Sequence, residues 1–208
     1  MTHTLHRRGS ARSLSEDYVI LILKAIGIND EGNAPKVQEF LRIALRHKPV
    51  NIGSALKGGM IDKPEEVINI ANNIGHAVFD NPEAVTAVLK DLKQANLGLS
   101  IVVSGIFEKV DECLDKAGLK HHTANFSLGI WGRTDKLPDD DILEITTMCG
   151  HALISPNLVK EMARAIKAGT KTPEEAVKIL MPQCACGVFN PTRAARLLAI
   201  IAEKDERI

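Results

Sequence analysis

Residues 98–131 read GLSIVVSGIFEKVDECLDKAGLKHHTANFSLGIW, and this stretch decides the fold class that the sequence predicts. Residues 98–104 are apolar and β-branched, and residues 122–131 alternate between apolar and polar side chains, as in a half-buried strand. Between them, residues 106–117 have the apolar spacing of an amphipathic helix. The order strand, helix, strand predicts one βαβ unit with two parallel neighbouring strands.

The rest of the chain has mainly helical patterns. Ser13-Leu-Ser-Glu16 reads as a capping box that opens a helix over about residues 15–26, and His76 falls in a stretch that we also expect to be helical. Further helices are predicted over residues 35–47, 139–149, 156–168, 173–181 and 191–204. We therefore predict an α+β, predominantly helical fold with about seven to eight helices and one small βαβ unit near residues 98–131.

The domain organisation predicted from the sequence is simple. Residues 1–12 carry three arginines and two histidines and read as a flexible basic tail. Residues 13–208 are enough for one hydrophobic core, and no linker composition interrupts them, which favours a single integrated domain. A subdivision near residue 97 would separate a helical N-terminal half from a C-terminal half made of the βαβ unit and helices.

Charge and composition exclude several classes of partner. Lys+Arg and Asp+Glu balance at 26 each and aromatic residues make up 3% of the chain, so we expect no nucleic-acid partner. The apolar run from Tyr18 to Leu23 is far shorter than the roughly 20 residues that span a bilayer, so we expect no membrane association. Without a secretory signal pattern, the expected location is the cytoplasm, where thiols stay reduced.

Two cysteine motifs share the same local pattern. Cys184 and Cys186 stand in Cys-Ala-Cys-Gly, and Cys149 stands in Met-Cys-Gly-His, where the histidine is His151. In each motif a glycine turns the chain, and a proline-started helix follows a few residues later. A close pair of thiols and a third in the same context predict a metal or iron–sulfur site.

The residue types allow more than one occupant of this site. Thiolates select zinc, Cu(I) or iron–sulfur clusters, and a [4Fe–4S] cluster on Cys149, Cys184 and Cys186 would leave one iron for His151, an exogenous ligand or a substrate. A zinc ion would take His151 as its fourth ligand. Alternatively, the three cysteines are small buried hydrophobic residues. Cys113 has the spacing of a core residue on the predicted helix.

Polar residues around the second predicted strand are candidate substrate contacts. Arg133 follows this strand and has the fork geometry that holds a carboxylate or phosphate, Asp135 lies in the same loop, and Asn125 lies inside the strand. The alternative is that Arg133 and Asp135 pair with each other across the turn.

The C-terminal part of the chain resembles a known group of proteins. The segment from Ser127 to Pro138, the Met-Cys-Gly-His motif and the Cys-x-Cys-Gly-x-Phe-Asn-Pro segment resemble an uncharacterised family of anaerobic bacterial and archaeal proteins. The resemblance covers about the last 85 residues. It implies an anaerobic, iron–sulfur-rich setting and carries no activity.

These observations lead to two functional hypotheses. The first is an iron–sulfur protein in electron transfer, or in redox chemistry at an open iron, with a redox partner protein. The second is a zinc-stabilised helical binding or scaffold module without catalysis. A hydrolase that pairs Cys149 with His151 is disfavoured, because neighbours two residues apart in a turn rarely face each other. Whether the protein is an enzyme is left open, and three thiols per chain also allow a cluster shared in a homo-oligomer.

Overall fold

The protein is described here by a computed structural model, which covers residues 4–55, 58–59 and 61–204. Within these residues the helices are α1 (Ala11–Leu14), α2 (Ala34–Arg46), α3 (Pro64–Ile70), α4 (Pro82–Ala95), α5 (Phe107–Lys116), α6 (Asp140–Thr146), α7 (Pro156–Lys167), α8 (Pro173–Leu180) and α9 (Pro191–Lys204). The strands are β1 (Tyr18–Leu23), β2 (Asn51–Ser54), β3 (Gly58–Gly59), β4 (Ile74–Phe79) and β5 (Ser100–Ser104). The predicted α+β, mostly helical fold class is confirmed. None of these helices is both long and apolar enough to cross a membrane.

The five strands form one sheet in the order β3-β2-β4-β1-β5. All described pairings are antiparallel, with Tyr18 opposite Phe79 in β4 and Val19 opposite Ser104 in β5. The second strand along the sheet, β2, pairs with β4 and carries the short β3 at its outer side. β1 therefore lies between two partners, while β5 has β1 as its partner.

Helices cover both faces of the sheet. On one face, Tyr18, Ile20 and Ile22 of β1 pack in a cluster with apolar residues of α2, α3, α4 and α5. On the other face, Val19 and Val78 pack in a second cluster with apolar residues of α6, α7, α8 and α9. Alternate residues of each central strand thus enter different cores, and the C-terminal helices, with their cysteine motifs, lie on one face.

The predicted first helix is wrong, because residues 18–23 form the strand β1, and of the described residues before it only Ala11–Leu14 are helical. A strand that is buried on both faces reads as a continuous apolar run, and such a run has no period that separates it from a buried helix. His76, expected on a helix, lies in β4 for the same reason. Its neighbours Ala77, Val78 and Phe79 are all buried.

The predicted βαβ unit is also wrong. The strand β5 and the helix α5 form close to the predicted residues, but residues 122–131 contain no strand. The partner of β5 is β1, and the pairing is antiparallel. The physical reason is that β1 offers apolar side chains to both cores, so it supplies β5 with a better-buried neighbour than residues 122–131 can.

A buried charge network joins the N-terminal segment to α9. Two guanidinium groups donate to one carboxylate oxygen of Asp17, Arg7 at 2.7 Å and Arg193 at 2.9 Å. Arg193 also donates to Ser13 Oγ at 2.9 Å and to Glu144 at 3.1 Å, and its side chain is fully buried. These bonds connect four parts of the chain around Asp17 and Arg193. The four parts are the N-terminal segment that was expected to be a flexible tail, the start of β1, α6 and α9.

We expect Arg193→Met to destabilise the protein by about 3–5 kcal/mol, because it leaves the buried carboxylate of Asp17 with one partner fewer. The matched control is Arg196→Met in the same helix, whose guanidinium is partly exposed and pairs with Glu16 at the surface. This control should cost less than about 1 kcal/mol. Urea unfolding measures both, and equal losses in the two variants would contradict the role given to Arg193.

Candidate metal centre

The three cysteines of the two motifs lie in loops that follow the ends of helices. Cys149 follows α6, while Cys184 and Cys186 follow the 3₁₀ turn Met181–Gln183 at the end of α8. Their exposed fractions are 2%, 0% and 3%. His151 is exposed and lies at the solvent side of the group.

The structure brings these side chains into contact in a row. The thiol of Cys149 hydrogen-bonds with that of Cys184, and the thiol of Cys184 hydrogen-bonds with that of Cys186. The row ends at His151, whose Nδ1 lies 3.6 Å from Cys186 Sγ. Residues from two loops that are 35 positions apart in the chain are therefore joined through their sulfur atoms.

Backbone N–H groups are directed at the same sulfur atoms. The N–H groups of Leu153 and His151 donate to Cys149, and the N–H of Val188 donates to both Cys184 and Cys186. Each of these bonds lowers the pKa of the thiol that accepts it, because a partial positive charge favours the thiolate. The loops thus surround the sulfurs with the donors that a bound anionic group needs.

The thiol–thiol contacts shift the pKa values of the three cysteines in different directions. The hydrogen bond with Cys184 and then burial raise the pKa of Cys149 well above its ordinary value. The hydrogen bond with Cys149 lowers the pKa of Cys184, but its bond with Cys186 and its burial outweigh this effect and leave that pKa raised. The hydrogen bond from Cys184 lowers the pKa of Cys186. The first negative charge in the group therefore belongs on Cys186, next to His151.

A contact between backbones holds the Cys184–Cys186 loop against the sheet. A Cβ atom on Gly187 would lie 2.7 Å from the Cα of Gly53 in β2 and 2.7 Å from the Cα of Gly59 in β3. Beside this contact, the Asn51 side chain donates to the Phe189 carbonyl at 2.9 Å. The position of the loop is therefore set by three glycines that leave no room for a side chain.

Both cysteine loops lead into capped helices, as the sequence predicts. The Ser155 side chain accepts from the backbone of Leu158 at the start of α7, and the Asn190 side chain accepts from the backbone of Arg193 at the start of α9. The backbone N–H of Ser155 also donates to Gln183 Oε1 at 3.4 Å. The start of α7 therefore lies beside the residues that precede Cys184.

The side chains of the three cysteines interact with one another and with nearby backbone N–H groups. In residues 4–55, 58–59 and 61–204, no three or more His, Cys, Asp or Glu side chains are arranged so that they would hold a metal ion. The sulfur atoms are instead satisfied by one another and by backbone N–H groups. Metal binding here requires loss of the thiol protons and a rearrangement of the side chains.

The other candidate residues lie elsewhere. Cys113 is buried in the core on the opposite face of the sheet, where its thiol donates to the Pro82 carbonyl at 3.5 Å. The guanidinium of Arg133 donates to both carboxylate oxygens of Asp135, at 2.9 Å and 2.8 Å. The two residues therefore pair with each other, which is the alternative that the sequence left open. Asn125 is exposed in a segment without a strand.

The sequence alone does not connect the cysteine loop with the residues that position it. Gly53, Gly59 and Asn51 come from a stretch with no readable periodicity, and part of that stretch, residues 56–57 and 60, lies outside the described residues. The signal was the glycine content itself, because a glycine in a strand often marks a close approach of another backbone.

Comparison with known proteins assigns no family: the chain matches no family model, no curated protein and no solved structure. The resemblance in the two cysteine motifs therefore stays a prediction.

The contact at Gly187 predicts an unusual sensitivity to one methyl group. Gly187→Ala adds a Cβ that overlaps two backbones at a positive φ of 73°, and we expect a loss of roughly 3 kcal/mol or more. Gly169→Ala is the matched control, with a φ of 69° and no heavy atom within 4 Å of the added Cβ. It should lose only about 1 kcal/mol. Urea unfolding measures both, and similar losses would show that the glycine contact does not constrain the loop.

Proposed function

We propose that this protein binds an iron–sulfur cluster through the thiolates of Cys149, Cys184 and Cys186. The observation that carries the proposal is a buried group of three thiols with backbone N–H groups directed at their sulfur atoms. Cysteine thiolates are the usual ligands of such clusters, and hydrogen bonds to sulfur together with burial tune their reduction potentials. A shielded group of thiols with these donors is therefore suited to a redox centre.

The number of thiols suits a [4Fe–4S] cluster with one distinct iron. Three cysteines would bind three irons, and the exposed His151 lies beside Cys186, so the fourth iron would have an open ligand position. His151 or an external ligand would occupy it. The function that follows is electron transfer with a redox partner protein, or chemistry at the open iron, in a reducing cytoplasm.

The surrounding charges also suit an anionic cluster. Each cysteine loop ends at the start of a helix of twelve or more residues, α7 after Cys149 and α9 after Cys186. The positive ends of the helix dipoles favour negative charge nearby. Cluster binding must separate the thiols from one another, because each cysteine of a cubane binds a different iron.

A single zinc ion is the second candidate, and one distance favours it. With Zn–S at about 2.3 Å and Zn–N at about 2.0–2.1 Å, a tetrahedral site places sulfur and nitrogen ligands about 3.6 Å apart. Cys186 Sγ and His151 Nδ1 lie 3.6 Å apart. Against zinc, ligand pairs in structural sites usually have two to four residues between them, and Cys184 and Cys186 have one. A zinc site would stabilise a scaffold without catalysis.

Anaerobic reconstitution with iron and sulfide should give a brown protein with about four irons per chain. Cys186→Ser should lose most of this iron, because serine replaces one of only three thiolates. Cys113→Ser is the matched control, since Cys113 is equally buried but lies on the other face of the sheet, and it should keep the cluster. Iron and sulfide analysis with a visible spectrum provides the measurement. A colourless, iron-free wild-type protein after reconstitution would contradict the proposal.

His151→Ala separates the two candidates. In a cluster held by three cysteines, this change should leave the iron content near that of the wild type and alter only the spectrum or the reduction potential. In a four-ligand zinc site, it should weaken zinc binding by at least about tenfold. Zinc titration against a colorimetric chelator, run beside the iron assay on the same variant, gives the answer. One tightly bound zinc with no iron uptake would support the second candidate.

A further inference from the structure

The longest exposed segment among the described residues carries several large apolar side chains. Every residue from 120 to 137, which we term the arm, is exposed, and a 3₁₀ turn at Thr134–Lys136 is its sole regular structure. Loops of this length without regular structure are uncommon in compact proteins and are usually functional. Its large apolar side chains have exposed fractions of 68% for Phe126, 82% for Leu128, 37% for Ile130 and 82% for Trp131. Such a patch marks an interaction surface.

The arm rests beside the end of β5 of its own chain. The Phe126 ring stacks on the Phe107 ring at 4.7 Å, just after β5, and Ser127 Oγ lies 3.1 Å from His6 Nδ1. The indole N–H of Trp131 donates to the Leu128 carbonyl at 3.0 Å, so its polar atom is satisfied while most of its ring faces solvent. The arm is therefore anchored near its middle, at Phe126 and Ser127, while most of the surfaces of Leu128 and Trp131 face solvent.

The arm lies next to an edge strand of the sheet. β5 is the last strand on its side of the sheet, and in the described residues its pairing is with β1. Its three central residues, Ile101 to Val103, are only partly buried. An uncovered edge strand presents peptide groups that can pair with a further strand.

We propose that the occupant of this edge is the arm of a second copy of this chain, in a twofold dimer where the arms are exchanged. Residues 122–131 have the period of a strand and form none within the chain, while β5 has no outer neighbour among the described strands. Addition of the arm to the sheet edge would give residues 122–131 a strand to pair with and would give β5 an outer neighbour. The twofold symmetry lets each copy supply an arm and receive one.

The area is sufficient for a stable dimer. Aromatic side chains bury about 150–250 Å² each, so Phe126 and Trp131 with Leu128 and Ile130 bring the exposed apolar area of one arm to roughly 500 Å². Two arms and the two surfaces that they cover would bury about 2,000 Å², which is in the range of specific stable interfaces. The formal net charge of zero means that two copies do not repel each other strongly.

Sedimentation equilibrium of the full chain, followed from micromolar to nanomolar concentration, tests the proposal. The wild type should be a dimer, and Phe126→Ser with Trp131→Ser should raise the dissociation constant at least about 100-fold, since it removes the two largest apolar contacts. The matched control is Ile26→Ser with Ile28→Ser, two residues that are 85% and 84% exposed outside the arm. This control should remain a dimer.

Two further measurements separate arm exchange from other contacts. Trp131 is the only tryptophan, so dilution of the wild type should shift its emission to the red as the dimer dissociates. Amide exchange should be slow in residues 122–131 and in β5 of the dimer, and fast in the arm of the monomeric variant. A monomeric wild type, a dimer that survives the arm substitutions, or an arm that exchanges fast in the dimer would each overturn the proposal. None of these results depends on the metal centre.

Discussion

The contact of Gly187 with Gly53 and Gly59 sets the position of Cys184 and Cys186. A loop that touches a sheet backbone to backbone cannot move toward it, and the amide of Asn51 holds the Phe189 carbonyl on the far side of the same contact. The position of the cysteine loop therefore depends on β2 and β3. Since the sheet also carries the helices of the N-terminal half on its other face, the cysteine group depends on nearly the whole chain.

The charge network around Asp17 is a second link between the sheet and the segment that carries Cys184 and Cys186. Arg193 and Asn190, at the start of α9, both bond to Asp17, which directly precedes the central strand β1. Cys186 is four residues before Asn190, so this network and the glycine contact at Gly187 both hold the C-terminal side of the cysteine loop. Buried charges cost desolvation energy and often add little net stability. We infer that this network contributes mainly a fixed position for α9 relative to the sheet.

The sequence predicted local features well and long-range pairing poorly. Proline-started helices such as α7 and α9 were predicted to within a residue or two, because caps act within one turn. The run at residues 18–23 was read as a helix, and residues 122–131 were read as a strand, because strand pairing depends on a partner that is distant in the sequence. The three cysteines could be grouped because their motifs share one pattern. The backbone N–H groups that enclose them could not be identified from residue types, and the glycines of residues 53–59 indicate a close approach without saying which backbone approaches.

The enclosed thiols explain why the metal-free chain can be well packed and still suit a metal. Each sulfur of the group takes part in a hydrogen bond with another sulfur, and these bonds use the same lone pairs and positions that metal–sulfur bonds would use. A bound metal replaces these protons, so the raised pKa values of Cys149 and Cys184 oppose binding as the pH falls. The backbone N–H groups act in the other direction, since they stabilise negative charge on sulfur whether or not a metal is present. The Cys184–Cys186 loop is held against the sheet by the contact at Gly187 and by the Asn51–Phe189 hydrogen bond, independently of the sulfur–sulfur bonds. Loss of the S–H hydrogen bonds on metal binding would therefore leave the Cys184–Cys186 loop held at Gly187.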